Sequence, residues 1–182
     1  MNWPNRLSVL RIALAAAVAA LIYGGTPWAL ETALVLFVAA CFTDWLDGWM
    51  ARRYHIVTNF GKFIDPVADK LLVLSTMISL CGRGSLPAWA CIVVLFRELA
   101  VDGLRLVAME HGQVIAAGKL GKIKTTLQMV MLVTYLLAEA GLFGLRSSVL
   151  PELLLIAAMV MTLWSGVDYF VKNRAVLMDG GR

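Results

Sequence analysis

The stretch DWLDGWMARRYHIVTNFGKFIDPVADK, Asp44 to Lys70, sets four aspartates, Asp44, Asp47, Asp65 and Asp69, into a chain that is otherwise greasy. Asp44 and Asp47 are three residues apart, and Asp65 and Asp69 four apart, so on helices each pair projects from one face. What such carboxylates can do depends on whether their helices stand in water or in lipid.

The surrounding composition answers for lipid. Of 182 residues, 60% are hydrophobic and only 15% charged, and mean hydropathy is +0.80, whereas soluble domains carry about 25% charged residues. Six apolar stretches of near-spanning length run from Leu10 to Tyr23, Trp28 to Phe42, Leu71 to Cys81, Leu86 to Phe96, Thr125 to Ala138 and Leu150 to Val171. They predict an all-α integral membrane protein with six transmembrane helices in one bundle. Loop signals separate them: GGTP at Gly24 to Pro27, GRGSLP at Gly82 to Pro87 and GLRSSVLP at Gly144 to Pro151. With no repeat or linker, residues 1–182 form a single membrane domain, in which 1–9 are an interfacial segment and 178–182 a flexible tail.

At the N-terminus, Asn2 to Arg11 (NWPNRLSVLR) is amphipathic and is expected to lie along the interface before the chain turns into the first helix. Arg6 followed by AAAVAA has the look of a signal peptide, but Arg11 interrupts the apolar run and five more segments follow, so the helix reads as uncleaved. Cys41, Cys81 and Cys91 lack paired spacing and read as packing residues. His55 and His111 fall at loops or helix ends and offer no metal cluster.

Charge is distributed unevenly. Threading six helices back and forth leaves Arg83 and Arg146 as the only basic residues on the side of the three glycine-rich loops. The other basic residues mark the opposite face as cytoplasmic, with both termini inside. The net charge of +4 thus describes a basic rim suited to anionic headgroups or phosphorylated substrates. It does not describe a nucleic-acid surface.

Two apolar stretches are too short to cross. Leu71 to Cys81 covers 11 residues, about 17 Å of helix, against a hydrocarbon core of about 30 Å. That helix must continue back through Lys70, Asp69 and Asp65. Leu86 to Phe96 is equally short, which draws Arg97, Glu98, Asp102 and Arg105 into the same cytosolic layer. Asp44 and Asp47 lie near that boundary at the end of the second helix, joined to the third by a short polar connection, ARRYHIVTNFG. An unpaired aspartate at mid-membrane costs roughly 2.5 to 3.5 kcal/mol, and four together repel. One reading is that they only pair with Lys70, Arg97 and Arg105 to hold helices together. The other is that four carboxylates at one depth hold cations, and oxygen-only ligands suit Mg2+ or Mn2+ in a site of one or two ions, with two expected.

Written as spacing, the stretch is D-x2-D-G-x2-A-R-x8-G-x3-D-x3-D, filled by Asp44, Asp47, Gly48, Ala51, Arg52, Gly61, Asp65 and Asp69. This resembles the signature of the CDP-alcohol phosphatidyltransferases. The segments NWPNRLSVLR, FIDPVADKL, FRELAVDGLR at Phe96 to Arg105 and IAAGKLGKIKT at Ile115 to Thr125 are similar to one branch of that family, the bacterial phosphatidylglycerophosphate synthases. Ser8 stands where that branch commonly has Thr, and Asp102 where it has a small residue.

The resemblance implies transfer of the phosphatidyl group of CDP-diacylglycerol to glycerol-3-phosphate, releasing CMP, by a homodimer in the bacterial cytoplasmic membrane with its active site facing the cytoplasm. It implies metal bound by Asp44, Asp47, Asp65 and Asp69, with Asp69 also the base that takes the alcohol proton. Gly48 and Ala51 are small enough for a nucleotide to approach the backbone, although small residues at this spacing also serve close helix packing. Arg52 can hold a phosphate with its planar fork, and Gly61 permits a turn into the third helix. Asn5 resembles a family position near the nucleotide and could equally cap a helix.

Arg97, Arg105, Lys119 and Lys122 are the basic residues expected to bind the acceptor phosphate, with Glu98 and Asp102 orienting the arginines. Lys124 reads as a charge marking the cytosolic end of helix five. Serine, inositol phosphate or phosphatidylglycerol as acceptor would leave the chemistry unchanged. A divalent-cation transporter would need acidic residues through the outer half of the bundle, where only Glu31, Glu139 and Glu152 lie, each at a helix end.

Overall fold

A computed structural model describes residues 3–54, 59–110, 112–113, 115 and 118–178. Among the described residues the chain forms α1 (Trp3–Gly24), α2 (Pro27–Tyr54), α3 (Asn59–Gly82), α4 (Ala88–Glu110), α5 (Lys119–Glu139), α6 (Leu150–Lys172) and the short α7 (Arg174–Met178), with a 3-10 turn over Leu142–Ser147. Among the described residues, three spans are long and apolar enough to cross a membrane by length and composition: Arg6–Gly24, Pro27–Leu46 and Leu150–Lys172. Helices α3, α4 and α5 are 24, 23 and 21 residues long, and each carries charge in its length. The apolar cores of α3 and α4 do extend through the charged residues as their shortness required. Asp65 and Asp69 are helical in α3, and Arg97, Glu98, Asp102 and Arg105 in α4.

Three local expectations change. No turn divides the N-terminal segment from the first helix, because α1 runs unbroken from Trp3 to Gly24 with its proline confined to the first turn, where a missing N–H costs nothing. The α2–α3 connection is shorter than ARRYHIVTNFG, since α2 continues through Tyr54 and α3 starts at Asn59, leaving residues 55–58 between them. Gly61 is therefore not a turn residue: it is buried in the first turn of α3. His55, His111 and residues 179–182 lie outside the described residues.

The chain separates into two compact units, Met1–Pro87 with Leu132–Pro151, and Ala88–Met131 with Glu152–Arg182. In the first, α1 packs along both α2 and α3, which touch each other only briefly. The seam on α1 is Ser8, Arg11, Ala15, Val18 and Ile22, spaced three and four apart and all buried; this 3,4 repeat turns one stripe inward. α2 supplies Ala33, Phe37 and Ala40, and α3 supplies Leu72, Thr76, Ser79 and Leu80, all buried. Gly25, with φ +68, reverses the chain after α1, and a Cβ there would lie 2.5 Å from Arg83 Nη1. That arginine donates to the Ile22 carbonyl at 3.2 Å, one of the carbonyls a helix end leaves without a partner. It also pairs with Glu139 at 3.2 Å.

The second unit builds its core from Val101, Leu104, Ala108, Tyr169 and Val176. Its helices repeat the same spacing: Ala90, Val94, Val101 and Leu104 on α4, and Leu155, Ala158, Thr162, Ser165 and Tyr169 on α6, are buried. The α1 seam has no spare room. Ala15→Phe is expected to lower the thermal midpoint of the purified protein by overpacking, a cost of about 1–3 kcal/mol, while Ala16→Phe, on the exposed side of the same helix, leaves it unchanged.

Candidate active site

The inward stripes of the first unit end in polar residues. On α1 the stripe Ile22, Val18, Ala15 continues to Arg11 and Ser8; on α2, Phe37 and Ala40 continue to Asp44; on α3, Thr76 and Leu72 continue to Asp69 and Asp65. All three helices therefore carry their apolar seam into one polar layer, and that layer is where the aspartates stand.

Within it, Arg11 Nη1 lies 3.0 Å from an oxygen of Asp44 and 2.6 Å from an oxygen of Asp69. The Arg11 side chain has no exposed surface, while those of Asp44 and Asp69 keep 32% and 39% of theirs. Ser8, one turn earlier on α1, donates its hydroxyl proton to Asp65. The α2 and α3 carboxylates are thus gathered by α1, which offers a serine hydroxyl and a guanidinium on one face. Sequence reasoning treated Arg11 as an interruption of an apolar run and Ser8 as a substitution. The 3,4 spacing from Ser8 through Ile22 is the signal that would have turned both inward.

The other expected residues are placed less fully. Asp47 lies one turn beyond Asp44 in α2, and Gly48, Ala51 and Arg52 follow in the same helix. The side chains of Asp47, Ala51 and Arg52, and that of Asn5 in α1, lie outside the described residues; Gly48 is half-buried. Among the described residues no three His, Cys, Asp or Glu side chains form a ready metal cage. The donor set nonetheless fits a hard divalent cation: every group offered by Asp44, Asp65 and Asp69 is a carboxylate oxygen, and the layer already draws a positive group between two of them.

In the second unit Arg97, Arg105 and Lys124 are engaged with partners. Glu98 Oε1 accepts from Arg97 Nη1 at 3.1 Å and from Lys124 Nζ at 2.5 Å. Arg97 Nη2 reaches Ser165 Oγ at 3.4 Å, and Gln128 donates to Thr162 at 3.0 Å. Arg97 gets there past glycine: a Cβ on Gly166 would stand 3.2 Å from Arg97 Cγ, and one on Gly121 would be 3.9 Å from Nη2. Arg97 Nε is buried with no hydrogen-bond partner among the described residues. Arg105 donates to the Tyr169 hydroxyl at 3.0 Å and lies over its ring. Lys119 and Lys122 are exposed on the first turns of α5.

Glu98 does orient Arg97, as expected. Lys124 is a correction: it is 5% exposed and spans α5 to α4 as a buried ion pair, so it is no rim charge. Its place one turn before Gln128, on α5's inward stripe with Met131, is the pattern that marked it.

Residues 1–164 match the CDP-alcohol phosphatidyltransferase family. The chain is 42% identical over 184 residues to a CDP-diacylglycerol–glycerol-3-phosphate 3-phosphatidyltransferase of Bacillus subtilis, covering 94% of this chain and 95% of that protein. A protein of the same name from Rickettsia typhi is 36% identical over 169 residues, covering 93% and 95%. Another from Cereibacter sphaeroides is 40% identical over 136 residues, covering 71% and 62%. The chain belongs to the CDP-alcohol phosphatidyltransferase family.

Removing one member of the Glu98 group leaves buried charge without its counterpart. Glu98→Ala is expected to destabilise by about 3–5 kcal/mol, read as a large fall in thermal midpoint. Asp168→Ala, which breaks the exposed pair with Lys172, changes stability by about 1 kcal/mol or less.

Proposed function

Starting from membership of the CDP-alcohol phosphatidyltransferases, we propose that this chain transfers the phosphatidyl group of CDP-diacylglycerol to glycerol-3-phosphate, yielding phosphatidylglycerophosphate and CMP. The observation that carries the reading is the gathering of Asp44 and Asp69, from two helices, onto one buried cationic nitrogen, with Asp65 held beside them by Ser8. A layer that collects carboxylates where apolar seams end is built to handle positive charge at a membrane boundary. The names of the relatives, each a glycerol-3-phosphate phosphatidyltransferase, support that acceptor over serine, inositol phosphate or phosphatidylglycerol.

In the reaction, a hydroxyl oxygen of glycerol-3-phosphate bonds to the phosphorus that carries diacylglycerol. The bond from that phosphorus to the CMP oxygen breaks, and CMP leaves with the electron pair. Asp44, Asp47, Asp65 and Asp69 would hold Mg2+ or Mn2+, two ions in this reading, which when bound would neutralise the diphosphate and stabilise departing CMP. Asp69 takes the proton from the attacking hydroxyl at a carboxylate oxygen. Ser8 orients the Asp65 carboxylate. Gly48 and Ala51 leave backbone open to the nucleotide, with Asn5, Arg52 and Gly61 completing that part of the site.

Arg97, Arg105, Lys119 and Lys122 bind the acceptor phosphate. Arg97 keeps an unpartnered Nε–H for it, while Glu98 and Tyr169 fix the two arginines. Lys119 and Lys122, exposed, act as point charges that attract the dianion. The protein crosses the bacterial cytoplasmic membrane six times, works from the cytoplasmic side and forms a homodimer.

Purified protein in detergent is expected to release CMP from CDP-diacylglycerol with Mg2+ only when glycerol-3-phosphate is added, and to stop with EDTA. Turnover with serine or inositol phosphate instead would displace the acceptor assignment. Asp69→Asn should lower kcat by about 10²- to 10⁴-fold, the range of a lost general base, with the protein still folded; an Asp69→Asn enzyme of normal kcat would remove Asp69 from that role.

A further inference from the structure

Arg11 is more deeply enclosed than any other Lys, Arg, Asp or Glu among the described residues: its exposure is zero, and Lys124, next in order, retains 5%. Its register on the α1 seam fixes the inward direction, three residues after Ser8 and four before Ala15. Arg11 cannot be a rim anchor of the kind that basic residues near helix ends usually form, because an anchor keeps its head in water. Burying a guanidinium is costly unless carboxylates compensate it. Among the described residues, carboxylates from two different helices lie within ion-pair distance of its Nη1.

The oxygens that Nη1 occupies belong to Asp44 and Asp69, both assigned above to the divalent cation. A guanidinium at 3.0 and 2.6 Å and a divalent ion cannot share those oxygens at full strength, because both are positive and would stand in contact. The two carboxylates keep about a third of their side-chain surface exposed, so an ion can reach them from outside while Arg11 holds them from within.

We propose that Arg11 is the built-in counter-cation of the acid cluster: in the metal-free protein it neutralises Asp44 and Asp69 and joins α1 to α2 and α3, and an arriving divalent cation displaces its Nη1 from them. This rests on the metal-site reading given above. Two effects follow. Without metal the first unit keeps its seam closed, since the carboxylates never face each other uncompensated. With metal, the fixed positive charge opposes binding and holds affinity below what bare carboxylates would give. Arg11 acts here as a positioning residue, through the aspartates.

The test is Mn2+ binding to the full chain in detergent, followed by the loss of the free-ion electron paramagnetic resonance signal, with thermal midpoints measured with and without Mn2+ and no substrate present. Arg11→Met, of similar length and uncharged, is expected to bind Mn2+ about tenfold more tightly or better, since a unit charge in contact with both ligands is worth at least that at the effective dielectric of a protein. Its metal-free midpoint should fall, and saturating Mn2+ should restore most of the difference. Arg11→Lys, which keeps the charge but loses the planar fork, should bind Mn2+ more tightly than the wild type by a smaller factor, and it decides the matter if Arg11→Met does not fold. Unchanged or weaker Mn2+ binding in the folded variants overturns the proposal, leaving Arg11 a structural clamp whose loss disorders the ligands. Wild-type protein that binds no Mn2+ removes the metal-site reading as well.

Discussion

A guanidinium enclosed between three helices, Arg11 with Asp44 and Asp69, is the constraint on which the first unit depends. Apolar packing alone sets α1 against α2 and α3 but does little to fix the sliding of one seam along another, since lipid solvates Leu and Val as well as protein does. An ion pair at a buried position does fix it, because a shift of one turn would leave a charge alone. The polar layer therefore registers three helices at once. It also explains how α2 and α3, which barely touch, can present carboxylates to one place.

The second unit handles its buried charges in a related way. Glu98 stands between Arg97 and Lys124, so one carboxylate answers two cations, and hydroxyls of Thr162 and Ser165 supply further polar contacts on α6. Gly166 makes room for the arginine by lacking a side chain. Such a group is expensive to break, because removing one member leaves buried charge without its counterpart. Lys119 and Lys122, by contrast, are exposed.

Much of the arrangement was legible in the sequence, for a physical reason. Spacing within a helix is rigid, so Asp65 and Asp69 could be assigned to a shared face, and the lengths of the apolar runs forced α3 and α4 to extend through their charges. What failed to show was anything set by a partner helix. Arg11 looked like an interruption of an apolar run and Lys124 like a charge at the end of one, because composition weighs a residue by its type and not by its direction. Their directions were nevertheless encoded, in the 3,4 stripes through Val18 and through Gln128. Gly61 was misplaced because glycine permits a turn without requiring one, and α2 ran on through Ala51 to Tyr54 because nothing there stops a helix. α2 and α3 do touch, but only briefly, while α1 packs along both and brings Arg11 to Asp44 and Asp69.

The most direct test of the central claim, that Asp44, Asp65 and Asp69 form one cation-binding layer organised by α1, is a crystal structure grown with Mn2+ and CDP-diacylglycerol and phased to show manganese by anomalous scattering. Manganese at ligating distance from oxygens of all three aspartates, about 2.0 to 2.3 Å, with the CDP diphosphate on its open side, is the expected result. Manganese bound elsewhere, or aspartates occupied only by basic side chains at saturating metal with the nucleotide in place, would contradict it.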